Sequence, residues 1–298
     1  MKFNELGLMP SLLKAVNEKG YTDPSPIQEK AIPLILKRKD VLASAQTGTG
    51  KTAGFTLPLL QILSKQPNSN HRKIRALILT PTRELAAQIY DNVVEYSKYI
   101  ELRASVVFGG VNQKPQVSKI RNGIDILIAT PGRLLDLENQ RLLSLRNVEI
   151  LVLDEADRML DMGFQRDINK IMNLLPSKRQ NLLFSATFSK EIKRLAKGIL
   201  NDPALVETSP QNTTVEAIVQ YVYKVDKNKK SNLIIQLIKE GNWRQVLVFT
   251  RTKHGANNLC KKMINANISA AAIHGNKSQS ARTKALAGFK DGSVEILV

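Results

Sequence analysis

A glycine-rich loop between a short apolar run and a helical segment constrains the fold of this chain more than any other feature. Residues 45–52 read AQTGTGKT and directly follow the run VLAS. Glycines let backbone N–H groups turn towards phosphate oxygens, and the start of the following helix adds a positive field. Ala45 replaces the first glycine of the strict G-x-x-x-x-G-K-[ST] pattern, and the remaining positions fit it. The loop therefore predicts an α/β domain that binds phosphates.

The side chains of this loop have separate predicted roles. Lys51 is expected to neutralise the β and γ phosphates of a nucleotide, and the Thr52 hydroxyl is expected to hold Mg²⁺. The alternative is an ordinary Gly-Thr-rich turn, which the flanking strand and helix disfavour. The predicted nucleotide-binding loop comprises Ala45, Gln46, Thr47, Gly48, Thr49, Gly50, Lys51 and Thr52.

An acidic segment, DEAD at residues 154–157, directly follows the apolar run Ile150–Leu153. Phosphate-binding α/β folds place a second acidic motif at such a strand end. Asp154 is expected to hold Mg²⁺ through water, and Glu155 to orient and deprotonate the attacking water. Asp157 is expected to connect neighbouring segments. A solvated acidic loop is the alternative interpretation, and the predicted catalytic residues are Lys51, Asp154 and Glu155.

Strand-like and helix-like segments alternate along the first two thirds of the chain. Most strand-like runs are rich in Val, Ile and Leu without alternation, which is typical of parallel strands buried on both faces. The pattern predicts a doubly wound α/β domain. The predicted strands are 41–43, 75–80, 104–108, 125–129, 150–153 and 181–184, and the clearest helices are 84–99 and 164–174.

A change of pattern after the edge strand predicted at 204–207 indicates a second domain. We expect domains at 1–207 and 217–298, joined by a linker at 208–216. The second α/β pattern ends in a strand without a cap or a turn, so we expect this domain to be incomplete. Its predicted strands are 217–225, 246–250, 270–273 and 294–298, and its predicted helices are 229–239, 253–266 and 278–289.

The net charge and the cysteine content indicate the class of binding partner and the cellular compartment. Lys and Arg number 44 against 26 Asp and Glu, a net charge of +18. A basic balance favours a polyanionic partner, and solubility alone is an equally good explanation of the charge. Cys260 is the only cysteine, so an intrachain disulfide is excluded, and we expect it to be a small buried side chain. With no apolar signal segment or membrane span in the sequence, a cytoplasmic location is expected.

Several further motifs resemble those of the DEAD-box RNA helicases, and the resemblance runs from about residue 3 to the last residue. They read GYTDPSPIQ at 20–28, PTRELA at 81–86, GG at 109–110, TPGR at 130–133, SAT at 185–187 and VLVFTRT at 246–252. The phrases FNELGL and AIHGNKSQSARTKALAGFK are similar to the bacterial RhlE-type branch. The resemblance implies a RecA-like domain with a P-loop, followed by a second, incomplete RecA-like domain.

The resemblance also implies binding residues for ATP and for RNA. Gln28 would read the adenine edge, with Phe3 and Tyr21 near the base. Taken alone, each RNA-binding segment is equally well explained as a turn or a helix cap. The implied contacts to the sugar-phosphate backbone of RNA are Pro81, Thr82, Arg83, Gly109, Gly110, Thr130, Pro131, Gly132, Arg133, Arg251 and Gly275.

The implied activity is an ATP-dependent RNA helicase that uses ATP and Mg²⁺. The hydroxyls of Ser185 and Thr187 would bond to Asp157 and couple hydrolysis to strand separation, while Gln279 and Arg282 would pack between motifs. Two RecA-like domains would close on ATP and RNA together, and hydrolysis would reopen them.

The arginine-rich segment that supplies the arginine fingers in this family is missing from the sequence, so this chain is expected to hydrolyse ATP poorly and to unwind little. Two alternatives remain open. One is another P-loop enzyme, such as a DNA helicase, a translocase or a nucleotide kinase. The other is a truncated fragment that binds ATP or RNA without turnover.

Overall fold

The structure is a computed structural model, and it describes residues 2–46, 48–65, 72–208 and 219–298. The chain divides into two units, Met1–Thr214 and Val215–Val298. The predicted linker at 208–216 lies outside the described residues except for Thr208. No helix in these described ranges has both the length and the apolar composition needed to cross a membrane.

The first unit alternates short strands with helices, as the sequence predicted. A short 3-10 turn, Phe3–Leu6, precedes the first helix. The strands are β1 (Val41–Ser44), β2 (Ala76–Leu79), β3 (Ala104–Val107), β4 (Ile126–Ala129), β5 (Ile150–Leu153), β6 (Gln180–Ser185) and β7 (Ala204–Glu207). The helices are α1 (Pro10–Glu18), α2 (Pro26–Leu36), α3 (Lys51–Ser64), α4 (Arg83–Tyr96), α5 (Lys114–Arg121), α6 (Pro131–Asn139), α7 (Ala156–Asp161), α8 (Gln165–Leu174) and α9 (Lys190–Ile199).

All seven strands form one parallel sheet in the order β3-β4-β2-β5-β6-β1-β7. In the register of the central strands, Ala43 lies opposite Phe184 and Val152 lies opposite Leu182. Because the strands are parallel, their carboxyl ends share one edge of the sheet, which is where α/β folds bind ligands. The segments that follow β1, β5 and β6 therefore lie near one another at that edge.

Alternate side chains of strands β1–β6 pack into two separate cores. In β5, Ile150 and Val152 belong to one hydrophobic cluster, and Leu151 and Leu153 belong to the other. Residues of α1–α4 contribute to the first cluster and residues of α5–α9 to the second. Because both faces of the sheet are covered, every position in such a strand is apolar, which explains the unalternating runs in the sequence.

The second unit is a smaller α/β arrangement with its own core. Its parallel sheet has the order β8-β10-β9. Cys260 is buried in this core, as predicted, and its Sγ atom lies 3.3 Å from the carbonyl oxygen of Ala270. The elements are α10 (Lys230–Glu240), β8 (Val246–Leu247), α11 (Lys253–Asn265), β9 (Ala270–Ala271), α12 (Gln279–Asp291) and β10 (Ile296–Leu297).

One strand prediction in the second unit is wrong. The described part of the predicted strand 217–225, residues 219–225, has no strand structure, and Val219, Tyr221 and Val222 are exposed. A strand requires hydrogen bonds to a neighbouring strand, and the described strands of this sheet pair only among β8, β10 and β9. The alternating sequence is therefore compatible with a strand but does not provide the partner.

Candidate active site

The glycine-rich loop connects β1 to α3 at the carboxyl edge of the sheet. Gly48 and Gly50 have φ angles of 81° and 84°, in the left-handed region that favours glycine. A Cβ atom at Gly50 would overlap the side-chain amide of Gln28. Since the first N–H groups of helix α3 have no partner within the helix, they are available to an anion. Thr47, which the sequence placed in this loop, lies outside the described residues.

Two opposite charges are buried beside the loop. Lys51 is 7% exposed, and its Nζ atom donates to the carbonyl oxygen of Ala45 at 2.9 Å. Asp154 is 3% exposed, and its Oδ1 atom accepts the N–H of Glu155 at 3.0 Å. Burial raises the pKa of Asp154 to about 6, and the charge of Lys51 opposes this rise. A buried carboxylate with incomplete charge compensation is suited to a cation.

Asp154→Asn is expected to stabilise the nucleotide-free protein at neutral pH. The pKa of Asp154 rises from 3.8 to about 6 on folding, so the folded state binds more protons between these values. Stability therefore falls as the pH rises through this window and stays lower above it. Two pKa units correspond to at most about 3 kcal/mol. Asparagine still accepts the Glu155 N–H, so the melting temperature should rise by several degrees near neutral pH and be unchanged below about pH 4.

Asp161→Asn is the matched control for this measurement, because Asp161 is an exposed residue at the end of the same short helix, α7. Its melting temperature should follow that of the wild type at every pH. Equal melting temperatures for Asp154→Asn and the wild type near neutral pH would contradict the assignment of a costly buried charge.

Glu155 has an unusual backbone conformation. Its φ and ψ angles of 52° and 51° are left-handed, and it is the N-terminal cap of α7. This conformation is disfavoured for residues other than glycine, and such outliers are frequent at functional sites. The Glu155 side chain is 16% exposed, and its Oε2 atom lies 3.4 Å from a guanidinium nitrogen of Arg158.

A cavity of about 560 Å³ brings these groups together. It is lined by loop and helix residues 48–53, by both Asp154 and Glu155, and by part of the segment that precedes and begins α2. The sequence did not identify a fourth wall, one face of α4, although the spacing of its residues is a helical signal. The lining residues of this segment and of α4 are Tyr21, Asp23, Ser25, Gln28, Leu85, Gln88, Asn92 and Tyr96.

Gln28 joins the α2 segment to the glycine-rich loop. Its Oε1 atom accepts the N–H of Ser25 at 3.0 Å, and its Nε2 atom donates to the carbonyl oxygen of Gly50 at 3.0 Å. Tyr21 lies at the cavity wall, with its hydroxyl 3.4 Å from that of Tyr96. Phe3 is buried in the core of the first unit and does not line the cavity.

Among the described residues, no cluster of three or more His, Cys, Asp and Glu side chains is arranged to hold a metal ion. Thr52 and Asp154 both line the cavity and offer one hydroxyl and one carboxylate. Mg²⁺ prefers oxygen ligands and keeps several waters, so two protein ligands together with phosphate oxygens form a suitable set.

The acidic segment is linked to the segment that follows β6, but not by the predicted hydroxyls. Asp157 Oδ2 accepts the backbone N–H of Ala186 at 3.0 Å. The hydroxyl of Ser185 instead accepts the N–H of Thr187 at 3.3 Å. Ser44, at the end of β1, donates to the carbonyl oxygen of Ala186 at 3.4 Å. Ala186 therefore connects the acidic segment to the strand that carries the glycine-rich loop, a role that its side chain gives no reason to expect.

Three of the predicted nucleic-acid segments follow β2, β3 and β4, which are neighbours in the sheet. Thr82 caps α4 by accepting the N–H of Leu85 at 3.3 Å, and Thr130 is the residue at the N-terminus of α6. Arg83 packs against Gly110, because a Cβ atom at this glycine would overlap its guanidinium group. Pro81 and Pro131 are buried, whereas Gly132 is exposed and Gly109 is half-buried. The three segments thus lie next to one another at the carboxyl edge of the sheet.

Arg133 differs from the other predicted contacts because its side chain is only 11% exposed. Its guanidinium group donates to the carbonyl oxygen of Val111 at 3.3 Å and to Gln116 Oε1 at 3.4 Å. Its Nε atom also lies 3.4 Å from a carboxylate oxygen of Asp136. The charge of Arg133 is therefore largely engaged within the first unit.

In the second unit, the predicted contacts follow two strands of the small sheet. Arg251 follows β8 and Gly275 follows β9, and both residues are exposed. The parallel strands place them at the same edge of this sheet. Lys253, which the sequence did not identify, lies near Gly275 and donates to Asn276 Oδ1 at 2.8 Å.

Two family models match the chain. The model described as "DEAD/DEAH box helicase" matches residues 25–195, and the model described as "Helicase conserved C-terminal domain" matches residues 229–298. The chain is 44% identical over 297 residues to the DEAD-box ATP-dependent RNA helicase RhpA of Helicobacter pylori, covering 99% of this chain and 59% of that protein. It is also 39% identical over 303 residues to the ATP-dependent RNA helicase RhlB of Pseudomonas aeruginosa, covering 100% of this chain and 76% of the relative.

Two solved structures resemble the chain in fold as well as in sequence. A DEAD box protein from Methanococcus jannaschii has a TM-score of 0.65 and 37% identity, covering 100% of this chain and 79% of that chain. Dbp5 of S. cerevisiae, solved with RNA and ADP BeF3, has a TM-score of 0.86 and 31% identity, covering 99% of this chain and 75% of that chain. Both support RecA-like domains. The RhlE-type branch stays a prediction, since these relatives bear other names.

Proposed function

The chain belongs to the DEAD/DEAH box helicase family, and from this premise we propose that it binds ATP with Mg²⁺ and the backbone of single-stranded RNA. We propose that ATP hydrolysis is coupled to local unwinding of RNA duplexes. The observation that carries the proposal is that Lys51, Asp154 and Glu155 line the same cavity. The chain spans 59% of the length of the relative RhpA, so the activity of the whole protein is part of this proposal.

The residues around the cavity fit a nucleoside triphosphate with Mg²⁺. Gly48 and Gly50 have backbone conformations that allow N–H groups to turn towards phosphate oxygens, and the buried Lys51 offers a positive charge. Thr52 and Asp154 would hold Mg²⁺, which when bound neutralises charge on the phosphate oxygens. The buried and incompletely compensated carboxylate of Asp154 supports this assignment.

Glu155 is the proposed general base. Its left-handed backbone directs a carboxylate into the lining of the cavity, next to the buried Asp154. We assign it to orient the attacking water and to accept its proton. Asp157 holds the segment after β6 through the Ala186 N–H, and we propose that Ser185 and Thr187 contribute to coupling as part of that segment.

Gln28 and Tyr21, which also line the cavity, are the proposed contacts for the adenine base. The side-chain amide of Gln28 already donates to the glycine-rich loop. A base bound by Gln28 would therefore affect the position of the loop that binds the phosphates. Phe3 contributes indirectly to the base site, because it belongs to the hydrophobic core that supports the segment containing Gln28. ATP is therefore the proposed nucleotide.

The surface after β2, β3 and β4 is the proposed RNA contact of the first unit. Exposed backbone at the glycines permits close approach, helix N-termini offer N–H groups, and Arg83 supplies charge. Arg251 and Gly275 are the proposed contacts of the second unit. Aromatic residues make up only 5% of the chain, which fits contact with the backbone rather than stacking on bases. A neighbour of known structure, Dbp5, is bound to RNA.

We propose a cytoplasmic location for this activity. The single cysteine is buried and unpaired, which suits a reducing compartment.

Comparing the stimulation of ATP hydrolysis by single-stranded RNA and by DNA of the same sequence tests the proposed function. RNA is expected to stimulate hydrolysis and DNA is not, since 2′-hydroxyl contacts distinguish the two. Equal stimulation would indicate a DNA helicase or translocase instead. Tight binding of ATP and RNA with no hydrolysis in the natural protein would indicate a binding module.

A further inference from the structure

We propose that Gln116 is a positioning residue for RNA binding. Its side-chain amide, together with Arg133, holds the turn at Gly109 and Gly110 in the shape that receives the RNA backbone. This inference rests on the function proposed above and adds to it a residue outside the sequence motifs. Four contacts carry the argument.

The Gln116 side chain bonds to both backbone groups of one residue at the start of the turn. Gln116 belongs to α5 and is 9% exposed. Its Oε1 atom accepts the N–H of Phe108 at 3.2 Å, and its Nε2 atom donates to the carbonyl oxygen of Phe108 at 3.2 Å. Phe108 directly follows β3, where the ladder to β4 has ended. The Gln116 amide therefore forms with Phe108 the two backbone hydrogen bonds that a neighbouring strand would otherwise provide.

Arg133 holds the other end of the same turn. It donates to the carbonyl oxygen of Val111 at 3.3 Å and to Gln116 Oε1 at 3.4 Å. The turn from 108 to 111 is thus bonded at both ends by two side chains that also bond to each other. Between these ends lie only the two glycines, and Gly110 has a φ angle of 75° that favours glycine.

The position of the turn also affects Arg83, the positive charge of the proposed RNA-binding surface. The guanidinium group of Arg83 occupies the space where a Cβ atom of Gly110 would lie. A displaced turn would therefore change the support of Arg83 as well as the exposed backbone of the glycines. When the turn and Arg83 are already held in place before RNA binds, binding does not have to pay the free energy of ordering them.

A purely structural role for Gln116 predicts a different pattern of effects. Neither Gln116 nor the turn lines the nucleotide cavity. Loss of a positioning contact should weaken RNA binding alone, whereas general destabilisation should lower the affinities for RNA and ATP together. The ratio of the two affinities separates these roles.

The test compares Gln116→Met, Gln116→Glu and the control Ser118→Ala, which changes an exposed residue of the same helix. Methionine keeps the length of the side chain and loses all three hydrogen bonds, so RNA affinity should fall by roughly tenfold. Glutamate still accepts from Phe108 and Arg133, so its affinity should be intermediate. The affinity for ATP should be unchanged in all three variants, and hydrogen exchange of the amides at 108–111 should quicken in Gln116→Met.

Unchanged RNA affinity in Gln116→Met, with RNA binding by the wild type, would overturn the positioning role and leave the proposed function intact. A parallel loss of ATP affinity would also overturn it, in favour of a structural role. If the wild type itself fails to bind RNA, the proposed function fails, and the positioning role falls with it.

Discussion

Lys51→Ala is expected to lower the affinity for ATP by about 100-fold or more, because a buried charge opposite the phosphates would be lost. The Lys51 Nζ atom is held at the glycine-rich loop by the carbonyl oxygen of Ala45. Alanine would also remove the charge that lowers the pKa of Asp154, so this carboxylate would be protonated to a larger extent at neutral pH. The loss of the Lys51 charge and the partial protonation of Asp154 would both weaken the binding of ATP with Mg²⁺. Titration calorimetry with ATP and Mg²⁺ measures the effect.

Lys65→Ala is the matched control for this substitution. Lys65 is exposed at the opposite end of the same helix, α3, so its removal should leave ATP affinity unchanged. RNA binding in the absence of nucleotide should be retained by both variants, which shows that the first unit is folded. An affinity of Lys51→Ala for ATP within about threefold of the wild type would refute the assignment of the loop as a phosphate site.

The sequence was sufficient to predict the first unit because its strands lie inside two covered faces. The run ILVL of β5 has no alternation, and the structure buries all four of its residues. The glycine-rich loop and the acidic segment were each predicted to follow a strand, and they meet at one edge because parallel strands share the direction of their carboxyl ends. The strand boundaries of this unit differed from the prediction by at most one residue, as is usual where ladders end.

The failed strand in the second unit has a different cause. Residues 219–225 alternate in polarity, and Val222 is 93% exposed in the structure. Alternating polarity shows that a segment is able to form a strand. The strand forms only where another backbone supplies the hydrogen bonds. A prediction from local sequence cannot contain that information.

Parts of the site depend on backbone groups or on neighbours that the sequence does not display. The link from Asp157 uses the N–H of Ala186, which every residue except proline possesses. The left-handed backbone of Glu155 is likewise invisible in its residue type. The resemblance implies an RNA contact for Arg133, and the sequence does not show that its guanidinium group also contacts Val111, Gln116 and Asp136. Residue type therefore predicts what a group is able to bind, and packing decides what it binds.

Made in the natural protein, Glu155→Gln is expected to reduce the rate of ATP hydrolysis by roughly 10²–10⁴-fold while ATP binding is retained. Glutamine has nearly the same shape and keeps an oxygen that is able to orient water, but it cannot accept a proton. Lys51, Thr52 and Asp154, the proposed contacts to phosphate and Mg²⁺, are unchanged in this variant. Loss of turnover without loss of affinity is therefore the pattern expected of a general base.

The measurement is single-turnover hydrolysis of ATP in the presence of RNA, with the affinity for ATP measured in parallel. Glu101→Gln provides the control, because Glu101 is an exposed carboxylate that precedes β3 and so lies at the opposite edge of the sheet. Normal turnover in Glu155→Gln would remove Glu155 as the base and would leave water activation to another group. Equal losses of affinity and rate would instead assign Glu155 to binding, because a group that acts only in the chemical step changes the rate alone.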